Sequence, residues 1–428
     1  MVARAHKART SHSAEQQLEL GIQSSLEAMS VPPSQRWRDW WIATDRTLLY
    51  DRMLLWLALA LMAISLVMVT SASFPVAERL TGNPFHFMIR HGIYVGLGVA
   101  LMLTVIQVPI QWWSSGSSSL LLISMGMLIM VLFIGHEVNG AKRWIKLGPL
   151  TLQVAEVAKL FFVIYMSSYL TRRVGEVQEN LKGFLKPLLV LFLFAGLLLL
   201  QPDFGSLVVM SCIAVGMLFL AGARLWQFFG VMIAFAAAIV LLIVKEPYRM
   251  RRVVSFLDPW EDPFGSGYQL TQSLMAFGRG DWFGQGLGNS IQKLQYLPEA
   301  HTDFIMAVVG EELGFFGIVL ILVLSFALVI RTMQLGRKAL HAGHKYGGFV
   351  AYGIGIWFAF QAMVNIGAAA GILPTKGLTL PLISYGGTSL LISCVAIGIL
   401  LRVDYEVRVS QIKVAPRRRS ATKAGGAA

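Results

Sequence analysis

Charge is what this chain has least of. Only 14% of its 428 residues are Asp, Glu, Lys or Arg, against roughly 25% in a soluble globular domain, and the deficit excludes a surface bathed in water. Cysteine is nearly absent as well. Cys212 and Cys394 both fall inside apolar runs, which excludes a disulfide framework or a paired-thiolate metal site and leaves two small buried side chains. There is no Walker lysine pattern, no serine nucleophile elbow and no helical histidine spacing suited to a metal. His341 and His344 lie in a basic segment and read as solvated. The run Gly284-Gln285-Gly286-Leu287-Gly288 has the glycine content of a phosphate loop, but no strand signal precedes it.

What the chain does have is long apolar runs. No Asp, Glu, Lys or Arg occurs between His91 and His136, Leu313 and Ile330, Tyr346 and Thr375, or Gly377 and Leu401. Mean hydropathy is +0.64. Crossing the hydrocarbon of a bilayer takes about 20 apolar residues, and backbone in lipid must satisfy its own hydrogen bonds, so such runs become helices. The expected fold is all-α and polytopic, with about ten transmembrane helices near 53–73, 91–109, 119–135, 155–171, 187–200, 205–222, 226–245, 304–330, 348–371 and 384–402. No cleavable signal peptide is expected, because the first apolar run begins only at Met53 and is long enough to stay in the membrane. Residues 1–52 read as a cytoplasmic N-terminal tail with a short amphipathic stretch, Leu18, Ile22, Leu26 and Met29. Residues 53–402 form the transmembrane domain, and 403–428 a basic cytoplasmic C-terminal tail.

The net charge of +13 follows the spans and gives no sign of nucleic-acid binding. Basic residues gather at Arg172, Arg173, Lys182 and Lys186, again at Arg331, Arg337, Lys338 and Lys345, and in the tail from Arg402. That is the positive-inside pattern. Ten spans put both termini in the cytoplasm of a bacterial inner membrane and leave 74–90, 136–154, 201–204, 246–303 and 372–383 outside. The long outer loop 246–303 is rich in Gly, Pro, Asp and aromatics, so it is expected to be ordered. Lys142, Arg143 and Lys146 sit on the outer side, where cations are sparse, and suggest an anionic ligand such as a phosphate.

Ionisable residues within apolar runs are costly and mark sites or buried pairs. Glu156 and Lys159, three residues apart on one helical face, fit a structural ion pair or a polar cavity. Glu311 and Glu312 read as packing or interfacial residues. Asp303 closes the polar run Pro298-Glu299-Ala300-His301-Thr302 just before Phe304-Ile305-Met306. Its carboxylate should stand half desolvated at the mouth of a cavity, which raises a carboxylate pKa and suits a general base. The residues alone leave two readings: an enzyme acting on a lipid-linked phosphate, or a transporter of one.

The segment Arg251-Arg252-Val253-Val254-Ser255-Phe256-Leu257-Asp258-Pro259-Trp260, with Gly265-Ser266-Gly267-Tyr268-Gln269 and Tyr296 to Phe304, resembles the outer-loop signature of the SEDS family. So do Leu373-Pro374-Thr375-Lys376-Gly377, Leu380-Pro381-Leu382-Ile383-Ser384-Tyr385-Gly386-Gly387, Gly140-Ala141-Lys142-Arg143-Trp144-Ile145 and Gln201-Pro202-Asp203-Phe204-Gly205. The resemblance covers residues 50–408 and is stronger to the cell-division branch than to the elongation branch. It departs at Gln153-Val154-Ala155-Glu156, where the family commonly has Gln-Pro-Ser-Glu.

The resemblance implies an inverting peptidoglycan glycosyltransferase that polymerises lipid II at the division septum. Its implied partners are a class B penicillin-binding transpeptidase and other division proteins. Asp303 matches the family's essential aspartate, the general base. Lys376, Arg143 and Arg252 are the implied cations for the pyrophosphate leaving group. Glu156 and Lys159 match the polar pair of the central cavity, and His301 joins the substrate-binding set. A divalent cation, Mg or Mn, is compatible with this chemistry, and the sequence names no ligand for it. A lipid II flippase and a scaffold that activates the transpeptidase are the competing classes.

Overall fold

The computed structural model describes residues 50–138, 141–148, 150–374 and 377–424. The N-terminal tail before residue 50 lies outside these, as do Thr375 and Lys376. Thirteen α-helices are described. They are α1 (Arg52–Thr81), α2 (His86–Val105), α3 (Ile110–Ser115), α4 (Ser117–Ile134), α5 (Val154–Glu179), α6 (Leu181–Leu200), α7 (Phe204–Leu220), α8 (Leu225–Val244), α9 (Pro247–Leu257), α10 (Tyr268–Gly280), α11 (Ile305–His341), α12 (Lys345–Ala369) and α13 (Gly387–Ala424). Eight of them are long and apolar enough to cross a membrane, and α7 is a shorter apolar helix. With α13, whose start coincides with the last expected span, each expected span has its helix. The chain is a multi-pass membrane protein. α13 runs without a break from that span through the basic segment to Ala424.

Local chemistry sets the helix ends. Asp51 caps α1 by accepting from the N–H groups of Met53 and Leu54 at 3.0 and 3.2 Å. α5 starts at Val154 although the proline common in the family is missing there. A strand delivers the chain to that point, so the start does not depend on proline.

That strand belongs to a feature not expected from the sequence. Three strands, β1 (His136–Val138), β2 (Ala141–Leu147) and β3 (Leu150–Gln153), form an antiparallel sheet in the order β1-β2-β3. Trp144 pairs with both His136 and Gln153. Thr388, in the first turn of α13, accepts from Gln153 N–H at 3.0 Å and donates to the Thr151 carbonyl at 2.7 Å. The sheet is thereby fastened to the bundle.

Within the bundle, α5 and α12 are central. In α5, 83% of the most apolar stretch is buried, against 6% in α8. α12 packs against α5, α7 and α11, and α13 against α2.

The 37-residue α11 is interrupted at Gly314, whose φ of 67° and ψ of −161° are open to glycine alone. The chain just before α11 fills the gap. Phe315 N–H donates to the Asp281 carbonyl at 2.8 Å, and the N–H groups of Gln285 and Gly286 donate to the Glu311 and Glu312 carbonyls at 2.9 and 3.0 Å. A Cβ at position 314 would lie 2.4 Å from the Gly284 nitrogen. The Gly284–Gly288 run is therefore a backbone joint in this fold.

Candidate active site

Asp303 ends a turn that leads into α11, and it is half buried. Three elements converge on it. From α12, Asn365 Nδ2 donates to the Asp303 carbonyl at 2.9 Å and to the Leu378 carbonyl at 2.6 Å. The segment after residue 376 runs past the carboxylate so closely that a Cβ at Gly377 would sit 3.1 Å from Asp303 Oδ2. Tyr385 N–H donates to the His301 carbonyl at 3.0 Å and ties this segment to the same turn. Two of the sequence blocks that carry the resemblance, 296–304 and 380–387, thus meet beside Asp303. A half-desolvated carboxylate against backbone is suited to take a proton from a hydroxyl that enters the cleft.

Glu156 and Lys159 form an ion pair of 2.7 Å that is almost wholly buried in α5. The pair continues into α12 and beyond. Gln361 Oε1 accepts from Lys159 Nζ at 2.7 Å and from Trp357 Nε1 at 2.6 Å. The Lys159 ammonium also lies 5.3 Å from the centre of the Trp357 ring. Gln361 Nε2 donates to the Thr379 carbonyl at 2.9 Å, and Thr379 Oγ1 donates to Ser389 Oγ at 2.8 Å. A polar chain therefore runs from Glu156 to the strip of backbone that faces Asp303. Glu156 Oε2 and Asn365 Oδ1 are buried and accept from no described residue, so both can accept from a ligand.

His301 packs between the rings of Phe87 and Tyr385, with centroids at 5.2 and 5.4 Å. Burial pushes its pKa below the ordinary histidine value and outweighs the opposite pull of Glu299, so the ring is neutral near pH 7. Behind it, His91 Nε2 shares a 2.8 Å hydrogen bond with Ser65, which donates to the Ile383 carbonyl at 2.6 Å. This second histidine was not evident in the sequence, because a histidine in an apolar helix resembles any satisfied core residue.

Of the other expected site residues, only Arg143 has a described side chain. Arg143 projects from the inner face of β2 with Ala141 and Ile145. It donates to the carbonyls of Gln201 and Pro202 at 3.1 and 2.5 Å, bracing the turn before α7. No described contact joins it to Asp303. Lys142 and Lys146 point to the exposed side of the sheet. Arg252 lies on α9, with its side chain outside the described set, and Lys376 is outside it altogether. Among the described residues no three His, Cys, Asp or Glu side chains converge on one point.

Glu311 and Glu312 are fully buried and have a definite task. Glu311 accepts from Arg279 Nη1 at 2.6 Å, from Ser290 Oγ at 2.5 Å, and from the N–H groups of Ile291 and Gln292 at 3.0 and 3.2 Å. Glu312 accepts from Lys293 Nζ at 2.7 Å and from Ser71 of α1 at 2.7 Å. The two carboxylates clamp the long loop onto α11 and α1 about two turns from Asp303.

The sequence matches the FtsW/RodA/SpoVE description, cell cycle protein, over residues 51–409. A relative from Idiomarina loihiensis named probable peptidoglycan glycosyltransferase FtsW is 60% identical over 398 residues, 92% of this chain and 97% of its own length. One of the same name from Escherichia coli O6:H1 is 57% identical over 86% of this chain and 89% of its own. Among solved structures, a chain of a peptidoglycan synthase complex that coordinates polymerization and crosslinking superposes with a TM-score of 0.69 at 28% identity, over 84% of this chain and 98% of that one. The Thermus thermophilus rod shape determining protein RodA gives 0.62 at 28% identity, over 83% and 96%.

Proposed function

This chain belongs to the FtsW/RodA/SpoVE family of cell cycle proteins, and from that membership and the geometry around Asp303 we propose that it is a peptidoglycan glycosyltransferase acting in septal wall synthesis. Lipid II is the substrate in this reading. The Asp303 carboxylate takes the proton from the 4-hydroxyl of the acceptor sugar as that oxygen forms a bond to C1 of the donor. The bond from C1 to the pyrophosphate oxygen breaks on the opposite face, undecaprenyl pyrophosphate leaves with the electron pair, and the anomeric centre inverts from α to β. Negative charge grows on the leaving group, so preorganised cations would stabilise it; Lys376 and Arg252 are assigned to that role. Arg143 supports the same end of the bundle through the 201–202 turn. Glu156, Lys159 and Gln361 hold the floor of the cleft, with the spare Glu156 oxygen open to a sugar hydroxyl.

The observation that carries this reading is the half-buried Asp303 carboxylate, packed against Gly377 at the meeting point of three elements. A flippase would need charged groups along the whole path. Beyond Lys159, however, the buried part of α5 through Leu170 holds apolar side chains and hydroxyls only. The family's structural likeness to a chain of a peptidoglycan synthase complex supports a class B penicillin-binding transpeptidase as partner, alongside other division proteins. In this reading the Asp303 end faces outward and both chain ends lie in the cytoplasm of the inner membrane.

The test is lipid II polymerisation by purified protein with its cognate transpeptidase. Asp303→Asn, folded and still bound to the partner, is expected to lose at least about 100-fold in rate. Equal polymer from both proteins would remove Asp303 as the base, and no polymer from either would favour transport or scaffolding.

A further inference from the structure

The Asp303 cleft has two walls, the 299–304 turn and the strip 377–385, and one side chain of α12 is bonded to both. Asn365 is buried, with 1% of its surface exposed. Its amide nitrogen donates to the Asp303 carbonyl at 2.9 Å and to the Leu378 carbonyl at 2.6 Å. Both of those groups only accept, so the nitrogen and not the oxygen must face them, and both its hydrogens are used. Leu378 follows Gly377, where a Cβ would come within 3.1 Å of Asp303 Oδ2. One amide therefore spans the cleft beside the place where the strip meets the carboxylate.

Both walls contain strained backbone. Glu299, in the turn that carries Asp303, has a φ of 57°, and Leu382, on the strip, a φ of 63°. L side chains rarely adopt that conformation, and it persists only where the surroundings impose it. On the turn, the Thr302 and Phe304 N–H groups donate to the Glu299 carbonyl at 3.1 and 3.3 Å. On the strip, Gln361, one helical turn before Asn365, donates to the Thr379 carbonyl at 2.9 Å. Gln361 reaches one wall only. Among the described side-chain hydrogen bonds, those of Asn365 alone join the two.

We propose that Asn365 is the positioning residue of this cleft, and that it sets the distance from the Asp303 carboxylate to the strip opposite. That distance governs how the hydroxyl to be deprotonated approaches. The proposal rests on Asp303 acting as the base, and Asn365 acts through the two main chains. Without it two carbonyls lose their donor and the walls can shift. A misplacement of about 1 Å can lower a rate about 100-fold.

The test compares wild type, Asp303→Asn, Asn365→Leu and Asn365→Gln, each with the cognate transpeptidase, by steady-state lipid II polymerisation and by amide exchange. Leucine keeps the approximate size of the side chain and removes both donors. Asn365→Leu is expected to lose about 10- to 100-fold in kcat, with KM for lipid II changed by no more than about twofold. Exchange should quicken in that variant at Thr302, Phe304 and Ile383 to Tyr385, whose N–H groups bond within or between the walls, and not in the rest of the bundle. Asn365→Gln keeps both donors on an arm one methylene longer. It is expected to show the same split with a smaller loss, and it carries the test if the leucine variant does not fold. A kcat equal to wild type in the folded variant, or a loss carried by KM, overturns the proposal. Faster exchange through the whole bundle also overturns it, because Asn365 would then support the fold in general. Equal polymer from Asp303→Asn and wild type would instead fail the reading of Asp303 as the base, and the proposal with it.

Discussion

At the scale of single residues the cleft is organised by groups that cannot be left alone. Lys159 is fully buried and tied to Glu156, Gln361 and the face of Trp357. Removing one partner of a buried ion pair leaves the other charged without compensation, at a cost of about 3–5 kcal/mol. Lys159→Met should therefore unfold in detergent at a clearly lower temperature than wild type. The double variant Glu156→Gln/Lys159→Met should recover most of the loss, because neither charge then remains. A single variant as stable as wild type would show that the pair is not desolvated as described. The position of Asp303 was legible in the sequence, since it closes a polar run at the edge of an apolar one, and its side chain is half buried there. Gln361 and Asn365 were not singled out. Two amides one helical turn apart in an uncharged span are themselves a signal, because lipid offers them no partner.

Among the elements, the joint between α11 and the chain before it decides how the long loop is held. Gly314→Ala would force a Cβ into backbone at 2.4 Å and strain a conformation that L side chains rarely adopt. The expected result is a loop freed between residues 279 and 293, read as faster proteolysis and faster amide exchange there while the bundle stays folded. Unchanged exchange would mean that the joint does not hold the loop. The sequence marked Glu311 and Glu312 as costly but could not supply their partners, because Arg279 and Lys293 come from 32 and 19 residues earlier in the chain. The sheet at 136–153 was hidden for a different reason. Lys142, Trp144 and Lys146 alternate with Ala141, Arg143 and Ile145 as a half-buried strand should, but a charged residue on the inner face breaks the pattern. Only the carbonyls of Gln201 and Pro202, supplied from elsewhere in the fold, make that placement acceptable.

For the whole molecule the positions of the helices were legible because lipid restricts the choices so strongly. Apolar length already marks ten spans, and charge placement gives an expected direction across the membrane. That direction can be checked with single cysteines. A cysteine at Lys146 should react with a membrane-impermeant maleimide in intact spheroplasts, and one at His341 only after permeabilisation. The native Cys394 is buried and Cys212 partly so, which keeps the background low. Reversal of the two labelling patterns would invert the topology and remove the outward-facing reading of Asp303.

The same joint also has a consequence for biogenesis. Residues 279–286 need acceptors and donors at 311–316, which leave the ribosome 30 or so residues later, about 2 to 6 seconds at typical synthesis rates of about 5 to 20 residues per second. During that interval the loop has already been made, but the helix that must receive it has not. Its final shape is set only once α11 has entered the bilayer, so the Asp303 end of the molecule matures after insertion and not during it.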